Sequence, residues 1–267
     1  MFATSEIEKK IVKIRKENGF PVVPFVIDEI RYDKESDKLF IIARDRSDKS
    51  AIIGNSFVIG KLKEELGVKQ VTVYSKLDLI IKRKKLEENL KKIKGTFLEF
   101  LVPIIEAEFN FPPRKWPKLN AGEKALVFLS FNAKAMIGFA EKVGLKAEKI
   151  GIKYTFPKME YEAIEGSLKE LFFPDEKKLT DIAEERGIRI VIGDFPFDLK
   201  INEGIALLNP LRFFHIGFFE AKYFFGFEKP VRVDKEAMID FVMDMVAEGL
   251  MESTDGANLI WWAMKKR

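Results

Sequence analysis

Between residues 112 and 117 the chain reads Pro-Pro-Arg-Lys-Trp-Pro, three prolines within six residues. Proline lacks a backbone N–H and fixes φ, so neither a helix interior nor a central strand runs through such a stretch. The segments on its two sides are therefore expected to build separate cores. The preceding TFLEFLVPIIEAEFNF is strongly apolar, and residues 96–122 read as a connector in which 97–109 packs on a neighbour. This places one domain at residues 1–95 and a second at 123–267. A chain of 267 residues with 47% apolar side chains can fill two cores of that size.

Charge divides along the same line. Residues 1–95 hold 22 Lys and Arg against 15 Asp and Glu, and the remainder holds 24 against 27. Attraction to a polyanion is then expected from the first domain, unless the charges merely lace a heat-adapted surface. The single glutamine, Gln70, and 33% charged residues fit such a surface. Cysteine is absent and His215 is the only histidine, which excludes disulfides, thiolate nucleophiles and His-pair metal sites. No metal site and no catalytic residue is singled out. No uncharged apolar run reaches about 18 residues, and Glu6, Glu8, Lys9 and Lys10 stand where a signal peptide needs apolar side chains. The expectation is a cytoplasmic protein without a membrane partner.

In the first domain, Ile7, Ile11 and Ile14 recur at helical spacing, with Ser5 as N-cap and Asn18-Gly19 as the stop. The runs 21–32 and 38–45, split by Asp33-Lys34-Glu35-Ser36-Asp37, predict a β-hairpin. Residues 46–75 predict a short helix, a break at Gly54, a helix ending at Gly67 and the strand VTVY (71–74). The order is α-β-β-α-α-β. A further helix over 77–94 carries the basic run Lys82-Arg83-Lys84-Lys85, either a solvated face or a phosphate contact.

That order, with Ile52-Ile53-Gly54 between two helices, resembles a type II KH domain. The resemblance implies an α+β fold that binds single-stranded RNA, with an I-I-G-x-x-G element clamping the sugar-phosphate backbone. Its nucleic-acid-binding candidates are Gly54, Asn55, Ser56 and Phe57, beside Lys82, Arg83, Lys84 and Lys85. Phe57 replaces the second glycine; its ring either obstructs close backbone approach, packs in the helix core, or stacks on a base.

In the second domain, strand 123–130, helix 135–144 and strand 146–156 predict a β-α-β unit, the start of a parallel sheet whose strand carboxyl ends face a ligand. A helix from 175 stops at Gly187, and the strand 188–192 leads to Asp194 and Asp198. The opening resembles the PP-loop family of adenine-nucleotide α-hydrolases, where a strand runs into S-G-G-x-D-S and a helix. The resemblance implies a Rossmann-like fold, ATP as cofactor, a link to tRNA modification and phosphates held on backbone N–H groups. Ser130 matches the first serine, while Phe131 and Asn132 stand for the glycines, Lys134 for the aspartate and Ala135 for the last serine. Ser130, Asn132, Lys134 and Asp194 are the nucleotide-binding candidates of this altered site.

Residues 208–230 carry eight aromatic residues within 23, either core or an interface for a homodimer or a paralogous partner through 213–227. His215 inside this stretch reads as structural. The tail predicts a helix over 234–249 and a last helix anchored by Trp261 and Trp262. Three functions are compatible with these features: an RNA-associated subunit, with tRNA as the RNA, whose PP-loop domain does no catalysis; an adenylylating enzyme with an altered phosphate site; or an interaction module that dimerises through its aromatic stretch.

Overall fold

The computed structural model describes residues 2–54 and 56–265. The chain is mixed α/β and folds as two compact units, one of residues up to Lys84 with Glu106–Trp116, the other of Lys85–Ile105 with residues from Pro117 on.

In the first unit, α1 (Thr4–Glu17) buries Ile7, Ile11 and Ile14. Its N-cap is Ala3 without a side-chain bond, so Ser5 lies inside the helix and is not the cap. The strands β1 (Ile27–Asp33) and β2 (Lys38–Ala43) pair antiparallel. Residues 21–26, expected as the first half of β1, form no strand, since Pro21 and Pro24 have no N–H for a ladder, although Val26 O accepts from the Arg44 N–H at 3.2 Å. Asp45 caps α2 (Arg46–Ile53) by accepting from the Asp48 N–H. After α3 (Ser56–Leu66), β3 (Gln70–Ser75) joins β2 in parallel. The order α-β-β-α-α-β is thus present.

Alternation along the strands decides the layering. Leu39, Ile41, Ala43, Val71 and Val73 meet Ile7, Ile11, Ile14, Ile52, Val58 and Leu62 in one core. Phe40 and Tyr74, at positions between these, stack with ring centroids 6.4 Å apart, and Phe111 meets Tyr74 edge-on at 5.1 Å. Phe111 directly precedes the proline-rich stretch, and residues Glu106–Trp116 belong to the first unit. The chain passes from one unit to the other within α4 (Lys76–Ile93) and again within α5 (Val102–Phe109).

The second unit holds a six-stranded sheet ordered β6-β5-β4-β7-β9-β8. Its strands are β4 (Lys124–Phe128), β5 (Lys146–Ile152), β6 (Glu162–Ile164), β7 (Ile190–Ile192), β8 (Leu199–Asn202) and β9 (Ile205–Leu208). All are parallel except the edge strand β8. Helix α6 (Ala133–Lys142) packs on β4 and β5, and α7 (Glu176–Glu185) on β7 and β9. Leu126, Phe128, Ile150, Ile152, Leu179, Ala183 and Val191 share a core. The chain ends in α8 (Pro210–Phe213), α9 (Phe218–Phe225), α10 (Lys235–Ala247) and α11 (Ser253–Lys265). No helix among the described residues is long and apolar enough to cross a membrane.

Candidate functional site

The sheet of the second unit grows from β4 to β5 on one side and from β4 to β7 on the other. The gap beyond the carboxyl ends of β4 and β7 is therefore its topological switch point, where open α/β sheets take ligands. Ser130, Asn132 and Asp194 meet there, each no more than 3% exposed. Asp194 accepts from the Asn132 backbone N–H at 2.9 Å and from Asn132 Nδ2 at 2.9 Å. With its amide committed to Asp194, Asn132 makes no side-chain cap for α6. Lys134 is exposed on α6 and joins none of these contacts.

Burial pushes the Asp194 carboxyl up, against the opposing pull of Asn132, the Ser130 hydroxyl and the more distant Arg212 charge. Ser130 Oγ itself is buried without a hydrogen bond of good geometry, so its influence on Asp194 is that of a nearby dipole. Arg212 is buried as well and pairs with Glu248.

A phosphate cradle at this turn needs unpaired backbone N–H groups. Here the Phe131 N–H donates to Leu171 O at 2.8 Å, the Asn132 N–H to Asp194, and the Ala133 N–H to Ser130 O at 2.9 Å. Three successive donors are spent inside the chain. The Phe131 ring, fully buried, lies 5.2 Å from Phe172, 5.7 Å from Phe241 and 5.8 Å from Phe227. Aromatic packing thus fills the position where two glycines would leave the backbone open.

In the first unit, Gly54 ends α2 with φ +59°, and a Cβ there would lie 2.5 Å from Arg15 Nη2. The 5%-exposed Arg15 guanidinium donates to Pro21 O at 2.7 Å and to Ala51 O, holding positive charge at the carboxyl end of α2. This buried arginine left no mark in the sequence beyond one more charge on α1. Asn55 and the Ser56 side chain lie outside the described residues. Phe57 is 41% exposed, with Phe20 at 5.8 Å and Lys61 Nζ at 5.9 Å from its ring centroid. It is not a helix core residue.

The basic run divides. Lys82 is buried and pairs with Glu108 at 2.6 Å, and half-buried Lys85 pairs with Asp198 at 3.1 Å. Lys82 leaves the phosphate-contacting set, because helical spacing turns it inward, while Lys85 keeps part of its side chain exposed and Arg83 and Lys84 stay exposed. Lys92 also reaches Asp198, at 2.8 Å. Burial raises the Asp198 carboxyl, but Lys92, the Leu199 N–H and Lys85 outweigh it and hold the group below its ordinary value.

Of the aromatic stretch, Phe213, Phe214 and Phe218 are core, and Phe219 and Tyr223 of α9 stay exposed. Phe224, Phe225 and Phe227 are partly buried, so an interface through the whole of 213–227 is narrowed by the loss of the three core rings. No cluster of three or more metal-ligating side chains occurs among the described residues. In comparisons with protein-family models, curated proteins and solved structures, the chain matched none.

Proposed function

We propose that this chain is an RNA-associated protein, with tRNA as the class of RNA, in which a KH-like unit holds a single strand and a PP-loop-like, Rossmann-type unit serves binding or assembly without catalysis. The observation that carries the non-catalytic half is the commitment of the residue 131, 132 and 133 amides inside the chain, with Phe131 buried among three other rings. A phosphate entering there would have to displace a hydrogen-bonded turn and an aromatic core. The RNA half is supported by the α-β-β-α-α-β order, the left-handed Gly54 between α2 and α3, and the exposed Phe57 beside Lys61.

Calorimetric titration of the intact protein with Mg-ATP tests the first half, and retention of labelled tRNA at low salt tests the second. The expected result is no saturable ATP binding together with salt-sensitive RNA retention. Saturable ATP binding that disappears in Lys134→Ala would overturn the non-catalytic reading in favour of an enzyme with an altered phosphate site. Absence of RNA retention at low salt would overturn the RNA reading.

A further inference from the structure

Just past the carboxyl end of β5 the chain makes a turn in which the Thr155 N–H and hydroxyl both bond Ile152 O, at 3.3 and 2.6 Å. Tyr154 takes the third position of that turn with φ +63°. A positive φ there suits glycine or asparagine, and a tyrosine adopts it only when its surroundings impose it. They do: Thr155 and Phe156 are buried, the Tyr161 hydroxyl donates to Ile152 O at 3.1 Å, and the Val231 N–H bonds Thr155 O at 3.0 Å. Every anchor fixes the loop, yet the Tyr154 ring is 64% exposed. A strained backbone has been spent on presenting an aromatic face to solvent.

The surroundings of that face are basic. Lys153 Nζ lies 5.0 Å from the ring centroid. Residues 149–158 contain Lys149, Lys153 and Lys158 and no acidic residue, in a part of the chain whose net charge is negative. Val231, whose N–H bonds Thr155 O, is followed by the exposed Arg232. An exposed aromatic plane with a cation against it has the chemistry that binds single-stranded nucleic acid, with a base stacked on the ring and a phosphate paired to the cation. A protein partner would need a broad apolar area around the ring, and beside it only Val231, among the described residues, is an exposed large apolar side chain, while Lys153 stands against the ring and Lys158 and Arg232 are exposed close by in sequence to Tyr154 and Val231.

We infer that Tyr154, with Lys153 against its ring, is a base-stacking platform for single-stranded RNA on the second unit. The inference rests on RNA as the partner but locates a contact apart from the first unit, where the KH-like reading puts it.

The test uses the intact protein and a uridine-rich oligoribonucleotide carrying 4-thiouridine, with affinity read by anisotropy and contacts by photocrosslinking and peptide mapping. Tyr154→Ala is expected to weaken binding about five- to a hundredfold, the range that stacking one base represents, and Tyr154→Phe to keep it within about twofold. Tyr154→Gly is expected to lose the same affinity without a lower Tm, because glycine accepts the positive φ. A crosslink on the peptide containing Tyr154 accompanies this result. Crosslinks confined to residues 1–95, with unchanged affinity in Tyr154→Ala, would overturn the platform and leave the KH-like reading standing. No binding of the oligonucleotide at low salt would overturn both.

Discussion

At the scale of single residues, Glu108 shows how a charge is kept inside the first unit. Its carboxylate is about 1% exposed and receives Lys82 at 2.6 Å, Arg114 at 2.7 Å and the Trp116 indole N–H at 2.5 Å. Phe111 completes the group, with the Lys82 ammonium 4.6 Å and the Arg114 guanidinium 4.7 Å from its ring. Burial alone would raise this carboxyl, yet the two cations outweigh it and hold it at about 2. Because the folded value lies below the unfolded one, the stabilisation is complete above about pH 4.5 and drains away as pH falls towards 2, amounting to about 3 kcal/mol. Glu108→Gln leaves two buried cations uncompensated, so denaturant unfolding at neutral pH should show a loss of about 3–5 kcal/mol. The variant should also lose less stability than the natural chain between pH 5 and 3; equal acid sensitivity would show that other carboxylates govern the acid limb. Asp194 behaves in the opposite sense, since burial raises it and its main partners are amides. Asp194→Asn removes the buried charge and keeps one oxygen for the Asn132 backbone N–H, but the Asn132 amide must turn over to meet the new NH2, so the variant should lose less stability at pH 7 than Asp194→Ala, which should cost about 1–3 kcal/mol by orphaning both Asn132 donors. A loss in Asp194→Asn as large as in Asp194→Ala, measured by thermal unfolding, would mean that both acceptor oxygens of the carboxylate are required.

At the scale of elements, Gly144 marks a close approach that the chain cannot relax. It has φ +74° after α6, and a Cβ there would lie 2.6 Å from Asn120 Cα and 2.7 Å from Leu119 O. The obstruction is backbone, and the Ala121 and Gly122 N–H groups bond Val143 O and Gly144 O along the same contact. Gly144→Ala should cost about 2–4 kcal/mol, read as a lower denaturant midpoint with unchanged slope. Gly187→Ala is the control, because its φ is +64° with open space around it, and it should cost only about 1 kcal/mol. Both glycines were visible in the sequence as helix stops, but only the packed backbone separates them. The same holds more widely. Strong periodicity made α1, β2, α3, β3, α6 and β5 legible, while the three-residue β6 and the β8–β9 hairpin escaped. That hairpin turns at Glu203-Gly204 with both φ values positive, a turn that usually advertises itself with Asn or Asp ahead of the glycine. At the crevice, the sequence brought Ser130, Asn132 and Asp194 into view through their places after two strands. The tie between Asn132 and Asp194, across 62 residues, has no local signal. Likewise, Lys82 could be counted in a basic run but not paired with Glu108, since helix phase alone does not reveal which partner a buried charge will meet.

At the scale of the whole molecule, net charge is a poor guide to which cations are available to a polyanion. The surplus of Lys and Arg in residues 1–95 is real, but pairing with carboxylates beyond residue 95 consumes part of it: Lys82 with Glu108, and Lys85 and Lys92 with Asp198. Within the basic run, Arg83 and Lys84 remain exposed and have no ion-pair partner among the described residues. Each phosphate contact to a single strand adds about 0.7 to the steepness with which log affinity falls against log salt. If the run meets RNA, the double substitution Arg83→Ala with Lys84→Ala should flatten that dependence by about 0.7–1.4 and leave Tm nearly unchanged. Lys85→Ala should do the reverse, keeping the salt slope while lowering stability by about 1 kcal/mol, because half-buried Lys85 pairs with Asp198 at 3.1 Å. Anisotropy titrations of the three proteins across a salt series decide the matter: a slope that changes with Lys85 and not with Arg83 and Lys84 would remove this run from the RNA contact. The basic surplus would then be a property of a heat-adapted surface, and any RNA contact of the first unit would rest on the neighbourhood of Gly54, Phe57 and Lys61 alone.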